Sequence, residues 1–126
     1  MADTVNDKIY FNSLLQGWEE TYKKGQMTFW ILLALKDGRK HPEEILAFIE
    51  NITNGTISCD LQSMYRSLRK LYEVEILDFE LTPGHKAPDK KQYFISALGT
   101  NLLESFSQRN IRLFYQKEVQ QLINNS

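Results

Sequence analysis

Between residues 61 and 81 the hydrophobic period of the chain changes once, and that change limits the fold more than any other feature. In LQSMYRSLRKLYE, residues 61–73, Leu61, Met64, Leu68 and Leu71 recur at spacings of three and four, which places them along one side of a helix. Directly afterwards Leu77, Phe79 and Leu81 alternate with Asp78 and Glu80, the period of a half-buried strand. A second strand, KQYFI, follows the Pro- and Gly-marked loop TPGHKAPDK. A helix that runs straight into a two-stranded hairpin is therefore expected at the centre of the chain.

The flanking segments read as helices. Phe11, Leu14, Leu15 and Trp18 recur at helical spacing from about Ile9 to Tyr22, before Lys23, Lys24 and the break at Gly25. MTFWILLALKDG is apolar almost all round, as a largely buried helix should be. In HPEEILAFIENITNG, Pro42 suits a first helical position and Glu43 and Glu44 suit the positive end of the dipole. Ile45, Phe48, Ile49 and Ile52 mark its inner face, and Asn54 and Gly55 close it. TISC is expected as a short strand, and Asp60 as the cap of the helix at 61–73. Ser96 caps a last helix, which is expected to continue unbroken to about Ile123.

The predicted fold is mostly α with a small β-hairpin, the order of a winged helix-turn-helix, in which the third helix of the module enters the major groove and the hairpin loop reaches a neighbouring backbone. Within a single domain the expected divisions are an N-terminal helical extension at 1–24, the winged module at 25–96 and a long C-terminal dimerisation helix at 97–126. With the apolar row packed inward, Gln62, Ser63 and Arg66 would face base edges, Tyr65 would sit at the seam between core and phosphate, and Arg69 and Lys70 would grip the backbone. His85, Lys86, Lys90 and Lys91 cluster where a wing meets phosphate, and Lys23 and Lys24 precede the first helix of the module. A merely solvated basic face is the competing reading. From Cys59 to Tyr93 there are six basic and six acidic side chains, but Glu73, Glu75, Asp78 and Glu80 fall away from the cations, so the charges look segregated.

The chain has 126 residues and a formal net charge of -1, so any nucleic-acid footprint must be local. No apolar run approaches the roughly 20 residues of a membrane span. The acidic start MADTVND lacks the pattern of a secretory signal, and the single cysteine, Cys59, cannot form an internal disulfide, so a cytoplasmic location is expected. Cys59, His41 and His85 have no metal-ligand spacing, no catalytic constellation or phosphate loop is present, and no metal, cofactor or enzyme activity is expected. In the last helix, Leu98, Leu102, Phe106 and Leu113 lie along one side and Leu103, Ile111, Phe114, Tyr115 and Leu122 along another. The first side would serve its own domain. The second, with Phe11 and Trp18, would meet a second copy in a two-fold dimer, unless the N-terminal helix covers it within one subunit.

WEETYKKGQMTFWILLAL, the MYRSLRKLYE helix, KKQYFIS and SALGTNLL together resemble the PadR family of bacterial transcriptional regulators over about residues 18–106. The strongest parts are Tyr65, Leu68, Arg69 and Leu71, the pair Tyr93 and Phe94, and the helix containing Gly99. The resemblance implies a homodimeric repressor that binds double-stranded DNA at an inverted repeat through the helix around 61–73 and the wing around 82–91. Some similar regulators admit a flat aromatic effector between subunits. Two departures stand out. The family's aromatic-glycine-tyrosine-glutamate-isoleucine run is KHPEEI here, keeping only Glu44 and Ile45, and Val74 and Glu75 occupy the turn where a glycine usually precedes the wing. A winged-helix adaptor for proteins, without DNA binding, is the alternative function.

Overall fold

In a computed structural model that describes residues 3–125, six α-helices and one antiparallel hairpin follow each other in the order α1 Asp3–Lys23, α2 Met27–Asp37, α3 Pro42–Ile52, α4 Leu61–Glu73, β1 Leu77–Thr82, β2 Lys90–Ile95, α5 Ala97–Asn110 and α6 Lys117–Asn124. This is the winged helix-turn-helix order. The helix at 61–73 has the predicted bounds, and β1 pairs with β2 in the register Phe79 with Tyr93 and Leu81 with Lys91.

The core lies where α2, α3, α4, α5 and the base of the hairpin meet. Ile31, Leu32, Ala34 and Leu35 of α2 are buried, as an all-round apolar helix requires, together with Ile45 and Ile49 of α3 and Met64, Leu68 and Leu71 of α4. Each large aliphatic side chain removed from water in this way contributes roughly 1.5–3 kcal/mol. Ile52, expected on the inner face of α3, is half exposed because the helix ends there.

Two turns and one bridge position α4 and the wing. The stretch at 56–59 is not a strand: Ile57 turns into the core, and the buried Thr53 hydroxyl donates to the Ile49 carbonyl at 2.7 Å and accepts from Ile57 N–H at 3.2 Å. The hairpin instead takes its third partner from the turn between α2 and α3, where Lys40 and Tyr93 exchange two backbone hydrogen bonds of 2.8 and 3.1 Å. The Lys40 ammonium folds back on the end of α2, donating to the Ala34 carbonyl at 2.8 Å and to Asp37 at 2.9 Å above the ring of Phe48. At the end of α4, Glu75 N–H bonds the Tyr72 carbonyl and Ile76 N–H the Leu71 carbonyl, both at 3.0 Å, with Glu75 at φ +68°. That is a Schellman turn, with a glutamate held in the left-handed conformation that usually selects glycine.

The C-terminal segment departs from expectation in two ways. It is not one helix: α5 stops at Asn110, a single 3-10 turn covers Arg112–Tyr115, and α6 restarts after the extended Gln116. Asn110 donates its side-chain amide back to the Phe106 carbonyl at 3.2 Å, and the turn carries Phe114 and Tyr115 toward Trp30 instead of continuing the helical path. The two sides of α5 are also exchanged. A Cβ on Gly99 would fall on the Ile76 carbonyl oxygen and 2.8 Å from the Ile95 side chain, so the helix can approach the hairpin base only with its Gly99 face. Leu103, one turn on, is consequently buried in its own core, while Leu98, Leu102 and Phe106 are about half exposed.

The helix α1 is longer than the 9–22 span read from periodicity, and every residue from Thr4 to Tyr22 is exposed. It does not cover the C-terminal segment within the subunit. Among the described residues no helix is long and apolar enough to cross a membrane.

Candidate nucleic-acid interface

At the N-terminus of α4, Asp60 accepts from Ser63 N–H at 2.7 Å. That bond, a second from the Ser63 hydroxyl and the nearby Arg66 hold the Asp60 carboxyl below the usual carboxylate range. Arg66 in turn donates to the Ser63 hydroxyl at 2.9 Å. Ser63 is half-buried with its hydroxyl accepting from Arg66, whereas Arg66 retains further guanidinium donors and Gln62 is exposed.

Rotation by 100° per residue sorts the outward side chains into three strips. Gln62 and Arg66 form the crest opposite the buried Met64, Leu68 and Leu71. Tyr65, Arg69 and Tyr72 lie on the flank toward the wing, and Ser63 and Lys70 on the flank away from it. Between α4 and the hairpin runs an open groove of about 540 Å³. Its floor is aromatic: Phe79 stands 5.0 Å from Tyr72 and 5.5 Å from Tyr93. Burial pushes the Tyr93 phenol upward in pKa. Its edges carry Arg69 from α4 and Lys90 and Lys91 from β2, with Lys91 lying over the Phe79 ring at 4.6 Å. Cations separated by more than 20 positions in sequence thus border one water-facing concavity.

His85 and Lys86 lie exposed at the loop tip, Lys86 with φ +58°, and do not line the groove. The loop doubles back so tightly at Gly84 that a Cβ there would sit 2.5 Å from the Pro88 carbonyl. Lys23 and Lys24 are not brought to this surface. Lys23 pairs with Glu19 at 3.7 Å, and Lys24 lines a separate groove of about 800 Å³ with Tyr22, Trp30, Phe114 and Tyr115.

Of the residues expected at a dimer interface, Leu103 is excluded by its burial in the subunit core. Ile111 is half-buried, Phe114 and Tyr115 are exposed at the second groove, and Phe11, Trp18 and Leu122 are 63%, 74% and 82% exposed.

Several contacts at the groove have no signal in the sequence. Tyr65 donates its hydroxyl to Glu43 at 3.1 Å, and the partial burial of the ring, helped by that carboxylate, raises its pKa. His41 uses Nδ1–H to hold the Lys91 carbonyl at 3.0 Å, and Glu44 accepts from His41 N–H at 2.8 Å. The divergent KHPEEI stretch therefore ties α3 to both α4 and the wing. Arg39 pairs with Glu80 at 3.0 Å across the ring of Phe94, occupying one of the strand acids. Among the described residues no group of three or more His, Cys, Asp or Glu could hold a metal ion.

No protein-family model matches the chain, and no curated protein matches it. Solved structures do. A PadR family transcriptional regulator from Eggerthella lenta superposes with a TM-score of 0.69 at 14% identity, covering 94% of this chain and 99% of that one. A PadR-like transcriptional regulator from Bacillus cereus matches at TM-score 0.63 and 20% identity over 82% and 96% of the two chains. Bacillus subtilis PadR, solved in complex with operator DNA, matches at TM-score 0.60 and 20% identity over 66% of this chain, which spans less than half, 46%, of that protein. The Eggerthella lenta and Bacillus cereus neighbours are transcriptional regulators.

Proposed function

Starting from the fold of the PadR-type transcriptional regulators, we propose that the chain is a dimeric, sequence-specific DNA-binding regulator, acting as a repressor. The observation that carries this reading is the convergence of Arg69 with Lys90 and Lys91 around the groove between α4 and the wing. In this reading α4 enters the major groove, Gln62 and Arg66 reach base edges from its crest, and a phosphodiester strand runs between Arg69 and the wing, with Lys70, His85 and Lys86 adding contacts outside it. Ser63 acts through Arg66. The operator complex of the Bacillus subtilis neighbour supports duplex DNA as the partner.

The test is to titrate the protein with duplex DNA at low salt and again at about 200 mM, where binding through phosphates falls by orders of magnitude. Arg66→Ala is expected to weaken a selected site by about 1–3 kcal/mol if it takes guanine, whereas Lys90→Ala weakens all sequences alike and flattens the salt slope by about one. Absence of binding at low salt overturns the reading. It would favour a protein-binding adaptor instead, for which the acids Glu43 and Asp89 in the groove wall speak.

Dimerisation is supported by the exposed apolar rows of α1, with Phe11, Leu14 and Trp18, and of the C-terminal segment, with Phe114, Tyr115 and Leu122. A soluble chain rarely leaves so much apolar surface to water, and a second copy is the simplest cover. In the same reading residues 1–24 and 97–126 assemble the dimer and 25–96 bind DNA. A monomeric mass in light scattering at micromolar concentration refutes it. A flat aromatic effector would find its place in the groove of Trp30, Tyr22, Phe114 and Tyr115, and unchanged tryptophan fluorescence with aromatic carboxylates counts against that.

A further inference from the structure

The start of a helix is ordinarily a good place for a phosphate, because its free N–H groups point outward. In α3 that end is altered. Pro42 brings no N–H, Glu44 takes the His41 N–H at 2.8 Å, and Glu43 projects into the wall of the groove between α4 and the wing. Across the groove wall Tyr65 donates to Glu43 at 3.1 Å.

A phenol has one proton. With that proton given to Glu43, the Tyr65 oxygen can only accept, and a phosphate oxygen has nothing to donate to it. The exocyclic amino groups of cytosine and adenine, exposed in the major groove, do. Phosphate is further disfavoured here by the carboxylate's own charge, which lies on the same groove as the cations Arg69, Lys90 and Lys91. The groove is thereby divided into a stretch that holds the DNA backbone and a stretch that the backbone avoids.

Resting on the duplex-binding reading above, we propose that Glu43 is a specificity-determining residue: it captures the Tyr65 hydroxyl proton, keeps phosphate from that end of the groove, and makes Tyr65 an acceptor for a base amino group. This reassigns Tyr65 from the phosphate seam to the base edges. Glu43 acts through Tyr65 and through its charge, as a positioning residue.

The experiment compares the wild-type chain, Glu43→Gln, Tyr65→Phe and the double variant on two probes at several salt concentrations: the site selected from a random duplex pool, and a random-sequence duplex of equal length. Glu43→Gln should bind the random duplex several-fold more tightly and steepen its salt slope by about one, because one repelling charge is gone. Its ratio of selected to random affinity should fall several-fold, since the charge is removed while the amide oxygen can still accept from Tyr65. Tyr65→Phe should lose roughly tenfold more on the selected site than on the random duplex, the scale of one base contact. Both side chains are exposed, and melting curves of the variants check that each is folded. The proposal is overturned if Tyr65→Phe weakens both duplexes equally, as a phosphate contact would, or if Glu43→Gln leaves ratio and slope at the wild-type values. If the wild type binds neither probe at low salt, duplex binding itself is refuted and this inference with it.

Discussion

Replacing Glu75 with glycine should stabilise the protein, and the size of the gain follows from the turn that ends α4. Glu75 sits at φ +68°, left-handed, while its N–H and that of Ile76 close the helix on Tyr72 and Leu71. An L-residue bears roughly 1–2 kcal/mol for that conformation, which glycine avoids. Glycine's greater freedom in the unfolded chain takes back about 0.5–1 kcal/mol. Removing a carboxylate from the carbonyl end of a helix returns about 0.3 kcal/mol. The net expectation for Glu75→Gly is about 1 kcal/mol of added stability, a rise in Tm of about 3–5 °C for a chain of this size. Glu75→Ala is the control, since it removes the charge and keeps the strained backbone, so it should gain no more than about 0.3 kcal/mol. Urea and thermal unfolding, monitored by circular dichroism at one fixed protein concentration, read both differences, because association would otherwise shift the midpoint. If alanine stabilises as much as glycine, electrostatics accounts for the effect and the backbone argument is refuted.

Three further outcomes follow from the packing. Gly99→Ala, which drives a methyl group onto the Ile76 carbonyl, should cost about 2–4 kcal/mol in the same unfolding assay, and an unchanged midpoint would show that α5 can move away from the hairpin. Lys40→Met removes the ammonium that the Ala34 carbonyl and Asp37 share, and should cost about 1–3 kcal/mol while leaving the Lys40–Tyr93 backbone bridge in place; a cost below about 0.5 kcal/mol contradicts the capping role. Asp60 has a folded pKa below its unfolded one, so its contribution is fully present above the ordinary carboxylate range and disappears as pH falls through the folded value. Asp60→Asn keeps a neutral cap without that titration. The stability difference between wild type and Asp60→Asn measured near neutrality should therefore shrink on acidification, and a difference independent of pH refutes the assignment.

Legibility from sequence tracked the range of the interaction responsible. The bounds of α4 were readable because Asp60 caps it locally and its apolar residues share one stripe, and the hairpin because its period differs from everything around it. Which side of α5 faces the core was not readable, since Leu102 and Leu103 are equally apolar. The choice is made by Gly99 against Ile76, a contact between elements that a helical wheel does not contain. The break after Asn110 has no proline or glycine to announce it. After it Phe114 and Tyr115 border the same groove as Trp30, about 80 positions earlier in the chain, a neighbourhood that the local sequence does not contain. At the groove, the cations were legible as types in a pattern, and their meeting could be inferred from the fold. The Glu43–Tyr65 and His41–Lys91 hydrogen bonds join residues 22 and 50 positions apart, and nothing in their local sequence signals a partner.

The bridge between Lys40 and Tyr93, with His41 fastened to the Lys91 carbonyl, gives the hairpin a fixed fulcrum. Its strands cannot swing as an arm without breaking three hydrogen bonds to the turn between α2 and α3. The connecting stretch 83–89 carries no such tie, so if the hairpin docks on DNA as proposed, the entropy it surrenders would be mainly that of seven residues rather than of the whole appendage. A limb held at the shoulder would reach such a target without rearranging first, and its encounter rate should then be limited by diffusion and orientation rather than by a slow isomerisation.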